Sequence, residues 1–429
     1  MSARNRVFGL VANAGLLVGS LLFVELVLQL GSLVFVKVDL MTRPPWGWSD
    51  ASVPMLIDDA RLGHKGNPAW WDHDDRGFRN RSTLSRAGVV ALGDSHTYGT
   101  GVIAEEAWPT LLSGELGVDV YNMGIGGYGA AHGNENLATA LQLEPDLVIF
   151  GLYFGNDFRD DFRFAETNGL LGEFVSVDAI AEIEERESKQ TIEEEIGFMF
   201  RAPGAERQGA GDQSPSRADK DAERPGALRK WISDHSKIYG LLRNLKNQIG
   251  SESDVSALLA RDFDEARKKL TERERRFVSV YDGPVWKTIL TSPYRLRTLD
   301  AADPRVTAGI EVSKSKLAQM RDRAREGGVR FLVLLLPTKE YVFWPKVEEP
   351  DDHRSLADLV RNEERARAEL IAFMTDRGID FVDPAGELRQ SEHQPYFPDG
   401  DGHPNALGHG IIAEKVLGFV RENNVLAQD

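Results

Sequence analysis

Four short stretches hold residue types that could do chemistry together. The first is Gly93-Asp94-Ser95-His96-Thr97-Tyr98-Gly99-Thr100-Gly101, directly after the apolar run Val89–Leu92. A serine on a strand-to-loop turn is exposed at the carboxyl end of a parallel sheet, where open α/β sheets bind ligands. Gly93, Gly99 and Gly101 permit a tight turn and close approach. Ser95 can therefore be a nucleophile, or it can cap the helix that follows. The nucleophile elbow of the α/β-hydrolases is ruled out, because Gly-x-Ser-x-Gly needs glycine where Thr97 stands.

The second stretch is Phe397-Pro-Asp-Gly-Asp-Gly-His-Pro-Asn405, ahead of a helical pattern over 406–423. A serine hydroxyl needs an imidazole within hydrogen-bond reach to attack at neutral pH. The imidazole in turn needs a carboxylate on its other nitrogen. His403 is the base candidate, and Asp401 or Asp399 can orient it locally. Alternatively Asp399, Asp401, His403 and His409 are metal ligands, but no further His or carboxylate stands at ligand spacing. His96, although next to the serine, is not read as the base.

The third stretch, Tyr121-Asn-Met-Gly-Ile-Gly-Gly-Tyr-Gly129, can aim backbone amides into the same crevice. It also contains a formal Gly-x-Gly-x-x-Gly at Gly124, Gly126 and Gly129. A dinucleotide site expects an acid at the end of the next strand, and Glu144 lies before that strand. The fourth, Phe154-Gly-Asn-Asp157, offers Asn156 as a neutral donor for a developing oxyanion. Alone it reads as a common turn.

Taken in order, these stretches resemble the SGNH (GDSL-type) hydrolase superfamily over roughly residues 88–162 and 329–420. The resemblance implies a flavodoxin-like three-layer α/β/α sandwich around a parallel sheet. It implies Ser95 as nucleophile and His403 as base, with an oxyanion hole from the Ser95 amide, the Gly127 amide and the Asn156 side chain. Asp94 would be a hydrogen-bonding residue of the turn. The usual pattern places Asp three residues before His, where this chain has Gly400. Asp401 is similar to the variant in alginate O-acetyltransferase-like proteins, and Asp399 is the alternative. Asp75-Arg-Gly-Phe-Arg79 and Leu336-Pro-Thr-Lys-Glu340 also resemble segments of membrane-anchored bacterial members.

The elements that must position these residues are legible as short apolar runs at 89–92, 118–121, 147–152, 329–336 and 379–382. Continuous apolar runs fit strands buried on both faces of a parallel sheet. Helical patterns at 105–116, 134–143, 314–326 and 358–377 alternate with them, which argues for a doubly wound α/β sheet. Between about 163 and 305 the alternation stops. Residues 177–196 are acidic and helix-like, 202–226 are Gly/Pro/Ser-rich and read as disordered, and 227–245 and 256–280 are helical in period. This insertion offers a helical lid or a surface for a protein partner.

At the other end, Val7–Val36 is mostly apolar and longer than the about 20 residues a spanning helix needs. Arg4 and Arg6 precede it, which favours a cytoplasmic N-terminus and an uncleaved anchor. Glu25 would then sit at the outer interface, with Gln29 one turn on. The expected organisation is an anchor at 1–38, a loop-rich spacer with Trp46, Trp48, Trp70 and Trp71 at 39–86, and two sheet-forming parts at 87–162 and 306–429 around the insertion. Asp plus Glu number 67 against 51 Lys plus Arg, and no basic run interrupts them, so nucleic acid is not expected as a partner. The 429 residues include no cysteine, which excludes disulfides, thiolate zinc sites and cysteine nucleophiles.

The expectation is a serine esterase of the inner membrane facing the periplasm or exterior, without cofactor or metal. It would act on acyl esters, such as O-acetyl groups of a carbohydrate or envelope glycan. A polysaccharide O-acyltransferase would use the same acyl-enzyme, and Tyr341, Trp344 and the insertion could shape its acceptor groove. A glycan-binding module without catalysis is the rival of another class.

Overall fold

The computed structural model describes residues 15–16, 19–31, 53–70, 72–176, 236–239, 241–242, 262–270, 272, 275, 278–347 and 354–426. They fall into two units, one within 1–52 and 202–260, the other within 53–201 and 261–429.

The second unit is built on five parallel strands: β3 (Val89–Gly93), β4 (Val120–Asn122), β5 (Leu147–Tyr153), β8 (Arg330–Leu336) and β9 (Asp380–Val382). Their order is β4-β3-β5-β8-β9, so the chain reverses direction of sheet growth between β3 and β5, as in doubly wound 2-1-3-4-5 sheets. In register, Val90 of β3 lies between Tyr121 and Val148, and Phe150 of β5 pairs with Val333.

Alternate side chains enter opposite cores. Val90, Leu92, Val148, Phe150, Leu152, Val333 and Leu335 lie in one apolar cluster. Val89, Ala91, Leu147, Ile149, Leu332, Leu334 and Leu336 lie in the other. The central strands β3, β5 and β8 therefore read as nearly unbroken apolar runs, because both of their faces are covered.

The helices that cover the sheet are α2 (Trp108–Leu116), α3 (Ala130–Leu141), α6 (Pro304–Glu326), α8 (Arg354–Arg377) and α9 (Ala406–Glu422). Leu137, Leu317, Met320, Leu370 and Met374 bring α3, α6 and α8 onto the first face. Trp108, Leu112, Ile412, Val416 and Val420 bring α2 and α9 onto the second. Two further helices follow β3 and β5, α1 (Ser95–Tyr98) and α4 (Asp157–Thr167). Two more that bear on the site are α5 (Ser292–Thr298) and α7 (Lys339–Phe343).

Several boundaries differ from the expectation. Helix α6 starts at Pro304, ten residues before the periodic pattern at Lys314, because Asp303 caps it by accepting from the Arg305 N–H and proline suits the first turn. The segment expected as a loop-rich spacer contains an antiparallel hairpin, β1 (Leu56–Asp59) and β2 (Gly63–Gly66). The insertion is not wholly helical, since residues 279–290 form a second hairpin, β6 (Ser279–Asp282) and β7 (Lys287–Leu290). A four-residue strand leaves too little alternation to stand out from helical periodicity. The expected helical stretch 177–196 and the Gly/Pro-rich stretch 202–226 lie outside the described residues.

In the first unit residues 19–31 are helical. Among the described residues no helix is long and apolar enough to cross a membrane; 7–14, 17–18 and 32–36 of the expected span lie outside them. The Glu25 carboxylate accepts from Gln29 Nε2 (2.8 Å), Ser236 Oγ (2.9 Å), and the N–H groups of Lys237 (2.7 Å) and Ile238 (2.9 Å). Both its oxygens are thus satisfied within the unit.

Candidate active site

Ser95 sits where β3 ends, at the point in the sheet where strand order reverses. Gly93 takes φ 147°, and a Cβ there would lie 2.4 Å from Thr97 Oγ1 and 2.8 Å from the Gly151 carbonyl oxygen. Only glycine passes between β5 and the first turn of α1, and that passage lifts Ser95 out of the sheet. The helix cap is Asp94, whose Oδ1 accepts the His96 N–H at 2.8 Å. Ser95 is left free of the capping role it could have filled.

His403 comes from the loop before α9, 308 positions away, and its Nε2 lies 2.8 Å from Ser95 Oγ. Its Nδ1 lies 2.5 Å from Asp401 Oδ1, which also accepts the His403 N–H at 2.9 Å. A carboxylate oxygen at that distance requires the proton on Nδ1, so Nε2 presents its lone pair to the serine hydroxyl. Asp399 does not reach the imidazole; its Oδ1 accepts the Asp401 N–H at 3.0 Å and so shapes the turn beneath it.

The loop 397–403 is wrapped around a buried ammonium. Lys339, first residue of α7, donates from Nζ to the carbonyls of Phe397 (2.6 Å), Asp399 (2.6 Å), Asp401 (3.1 Å) and Ile289 (3.2 Å). Such a loop would otherwise leave its carbonyls without donors, at about 1–3 kcal/mol for each buried group. Behind it, the Arg295 guanidinium of α5 packs over Tyr153, 5.4 Å from the ring centroid. A Cβ at Gly402 would come within 2.8 Å of Arg295 Nη2, so the loop is seated directly on this arginine.

Asp94 and His96 lie under the serine, both wholly buried. Asp94 Oδ2 is 3.1 Å from Ser95 Oγ and 3.3 Å from His96 Nδ1. Burial pushes the Asp94 carboxyl up, but His96, through charge and hydrogen bonds, and then His403 outweigh it and hold it below the usual range. Burial depresses His96 below the usual histidine range despite Asp94. Its ring stacks on Tyr153 at 3.6 Å and lies 4.7 Å from the His403 ring.

Asn156 precedes α4, and its Nδ2 donates to Asp160 Oδ2 at 2.5 Å. One N–H of the amide is thereby used, and the bond holds the nitrogen rather than the oxygen in a defined direction. Burial pushes the Asp160 carboxyl up to about 6, against the lowering by Asn156. The preceding carbonyl, Gly155, accepts from Thr298 Oγ1 (2.6 Å) and Arg295 Nη1 (3.3 Å), which ties the Asn156 backbone to the insertion.

The glycine block lies on the other side of the serine. A Cβ at Gly126 would be 3.7 Å from Ser95 Cβ. The Ile125 N–H donates to the Gly93 carbonyl at 3.0 Å, fastening the block to the end of β3. The Gly127 N–H has no hydrogen-bond partner among the described residues.

Other expected features serve packing. His409 is buried, and its Nδ1 accepts the Trp108 N–H at 3.3 Å. Tyr341, read as a groove candidate, is held between the guanidinium groups of Arg389 (3.8 Å) and Arg367 (4.9 Å). Trp344 packs on the second core, and Trp70 is buried. Trp46, Trp48 and Trp71 lie outside the described residues. Sequence reasoning did not assign Lys339, Arg295, Asp160 or His64 to the site. Lys339 alone carried a signal, a cation two residues beyond Pro337 at the end of a buried strand.

Residues 91–241 match the GDSL-like lipase/acylhydrolase family. The match includes Ser95, Gly127 and Asn156 and stops short of Asp401 and His403. No curated protein matches the chain significantly. Among solved structures, a protein of Desulfitobacterium hafniense DCB-2 assigned to the G-D-S-L lipolytic family is 12% identical, covering 79% of this chain and 98% of its own, at a TM-score of 0.34. TesA is 12% identical over 79% of this chain and 99% of its own, at 0.31. LAE5, an alpha/beta hydrolase enzyme from the metagenome of Lake Arreo, Spain, is 11% identical over 81% and 99%, at 0.30.

Proposed function

With a GDSL-like lipase/acylhydrolase domain over residues 91–241, the chain is an ester-acting hydrolase, and we propose that it works through a Ser95–His403–Asp401 acyl-enzyme mechanism. The observation that carries this reading is the continuous chain of contacts from Asp401 Oδ1 through the His403 ring to Ser95 Oγ, 2.5 and 2.8 Å long. Ser95 Oγ bonds to the acyl carbon as its proton passes to His403 Nε2. The proton then goes to the departing alcohol oxygen as the C–O ester bond breaks. Water repeats the sequence on the acyl-serine and returns the enzyme. Negative charge on the carbonyl oxygen is met by the N–H groups of Ser95 and Gly127 and the free N–H of Asn156, each such donor being worth about 10²–10³-fold in rate.

The substrate we propose is an O-acetyl ester on a carbohydrate of the cell envelope, reached by a catalytic unit tethered outside the cytoplasm. Support for the tether is the apolar run 7–36 behind Arg4 and Arg6. A fluorophosphonate probe tests the nucleophile: labelling should vanish in Ser95→Ala, and undiminished labelling there would sink the assignment. Acetyl release from an acetylated polysaccharide, with and without an added activated acetyl donor, tests the substrate and separates hydrolysis from transfer. Recovery of the full chain in the alkaline-washed membrane fraction tests the tether; release into the wash would reject it.

A further inference from the structure

The hairpin β1–β2 places a histidine on the back of the glycine block. His64 Nε2 donates to the Gly126 carbonyl oxygen at 2.8 Å. A carbonyl can only accept, so the proton sits on Nε2. Residues Ile125–Tyr128 form a β-turn closed by the Tyr128 N–H on the Ile125 carbonyl at 3.2 Å. Gly127 holds φ 81° at its third position, whereas Gly126 has no positive φ, which is the type II pattern.

A type II turn becomes type I when its central peptide rotates by half a turn. Here that peptide joins two glycines, so no Cβ opposes the rotation. Within a planar trans peptide the C=O and N–H point in opposite directions. While His64 holds the Gly126 oxygen, the Gly127 N–H must point away from His64. After a flip the N–H would face His64, and a carbonyl dipole would stand where the donor had been.

We propose that His64 is a positioning residue that locks the Gly126–Gly127 peptide in its donor orientation beside Ser95. This rests on the reading of Ser95 as nucleophile and the Gly127 N–H as oxyanion donor. The hairpin is built to hold the ring still. His64 pairs with Asp58 across the hairpin, and its own carbonyl accepts from Tyr128 Oη at 2.6 Å. Its ring lies 5.3 Å from that of Tyr128, which stacks on His132 at 4.6 Å. A Cβ at Gly66 would lie 1.8 Å from the Gly77 carbonyl oxygen, so the end of β2 is pressed against the chain that follows.

Three variants test the lock, with p-nitrophenyl acetate turnover and fluorophosphonate labelling as readouts. His64→Phe keeps a ring against Tyr128 but no donor. His64→Asn keeps an amide too short to reach Gly126, and His64→Gln carries an amide N–H at about the position of Nε2. His64→Phe and His64→Asn should lower kcat and the labelling rate together by about 10–100-fold with little change in KM, as for a weakened oxyanion donor. His64→Gln should recover most of the loss. Wild-type kcat in the Phe and Asn variants, or a Gln variant as slow as Asn, would overturn the proposal. If the Phe variant does not fold, the Asn-against-Gln comparison decides by itself. Ser95→Ala run alongside separates the two levels, because activity retained there defeats the nucleophile reading whatever His64 does.

Discussion

The hydroxyl of Ser95 lies within reach of His403 Nε2 at 2.8 Å and Asp94 Oδ2 at 3.1 Å. The nearer acceptor is an imidazole nitrogen whose ring is held at its other nitrogen by Asp401, so the proton has a defined path. Asp401→Asn would put a neutral amide against Nδ1 and favour the wrong tautomer. Its kcat/KM should fall by about 10⁴-fold, as when the orienting acid of a serine triad is replaced. Asp399→Asn leaves an oxygen able to accept the Asp401 N–H, so its kcat/KM should stay within about tenfold of wild type. Equal losses in the two variants would mean that the orienting acid has been misassigned. That Asp401 or Asp399 could orient His403 was legible because all three belong to one turn; which of the two reaches the ring was not. The loss of Ser95's alternative role as a cap was not, since it depends on Asp94 taking that position.

At the level of elements, the His403 loop relies on α7, whose Lys339 Nζ donates to three of its carbonyls. Lys339→Met would remove one donor shared by four carbonyls while nearly keeping its volume. The unfolding midpoint in a thermal melt should drop by several degrees, consistent with about 1–3 kcal/mol. kcat should fall with it as the His403 loop loosens; an unchanged kcat would show the loop to be held by other contacts. Helices α4 and α6 meet where Gly309 faces Phe158, and a Cβ there would sit 1.8 Å from the Phe158 carbonyl oxygen. Gly309→Ala must push the helices apart and should cost about 1–3 kcal/mol in a denaturant titration. That cost overrides the gain in helix propensity from replacing glycine. The strands and long helices could be read from apolar spacing, but this crossing could not, because a glycine within a helix looks locally like a weakness.

Across the whole second unit several carboxyls are enclosed away from water, Asp161 and Glu363 among them. Burial pushes Asp161 up to about 7 against its bonds from Ser313 and the Ala131 N–H. It also pushes Glu363 up to about 7 against Arg367 and the Thr338 hydroxyl. Between the two pKa values the unfolded chain has lost a proton that the folded chain keeps, so each step up in pH in that window favours unfolding. The stabilisation is full below the unfolded value, about 4, and is lost as pH rises through about 7. The unfolding midpoint should therefore decline from about pH 5 to about pH 8, and Asp161→Asn should flatten that decline. A midpoint that rises across the range in wild type would show these two groups to be outweighed.

What the amino-acid sequence determined by itself was whatever depends on neighbours along the chain. Strands buried on both faces must be apolar throughout, a serine after such a strand emerges at its carboxyl end, and an aspartate two residues before a histidine can reach its ring. Only the tertiary structure decided which distant groups meet. Parallel crossovers carried His403 across 308 positions to Ser95, and the two hairpins brought His64 to the glycine block and Ile289 to Lys339. Short polar strands and a lone buried lysine leave no periodic trace. Their roles arise from packing between segments, which no local pattern encodes.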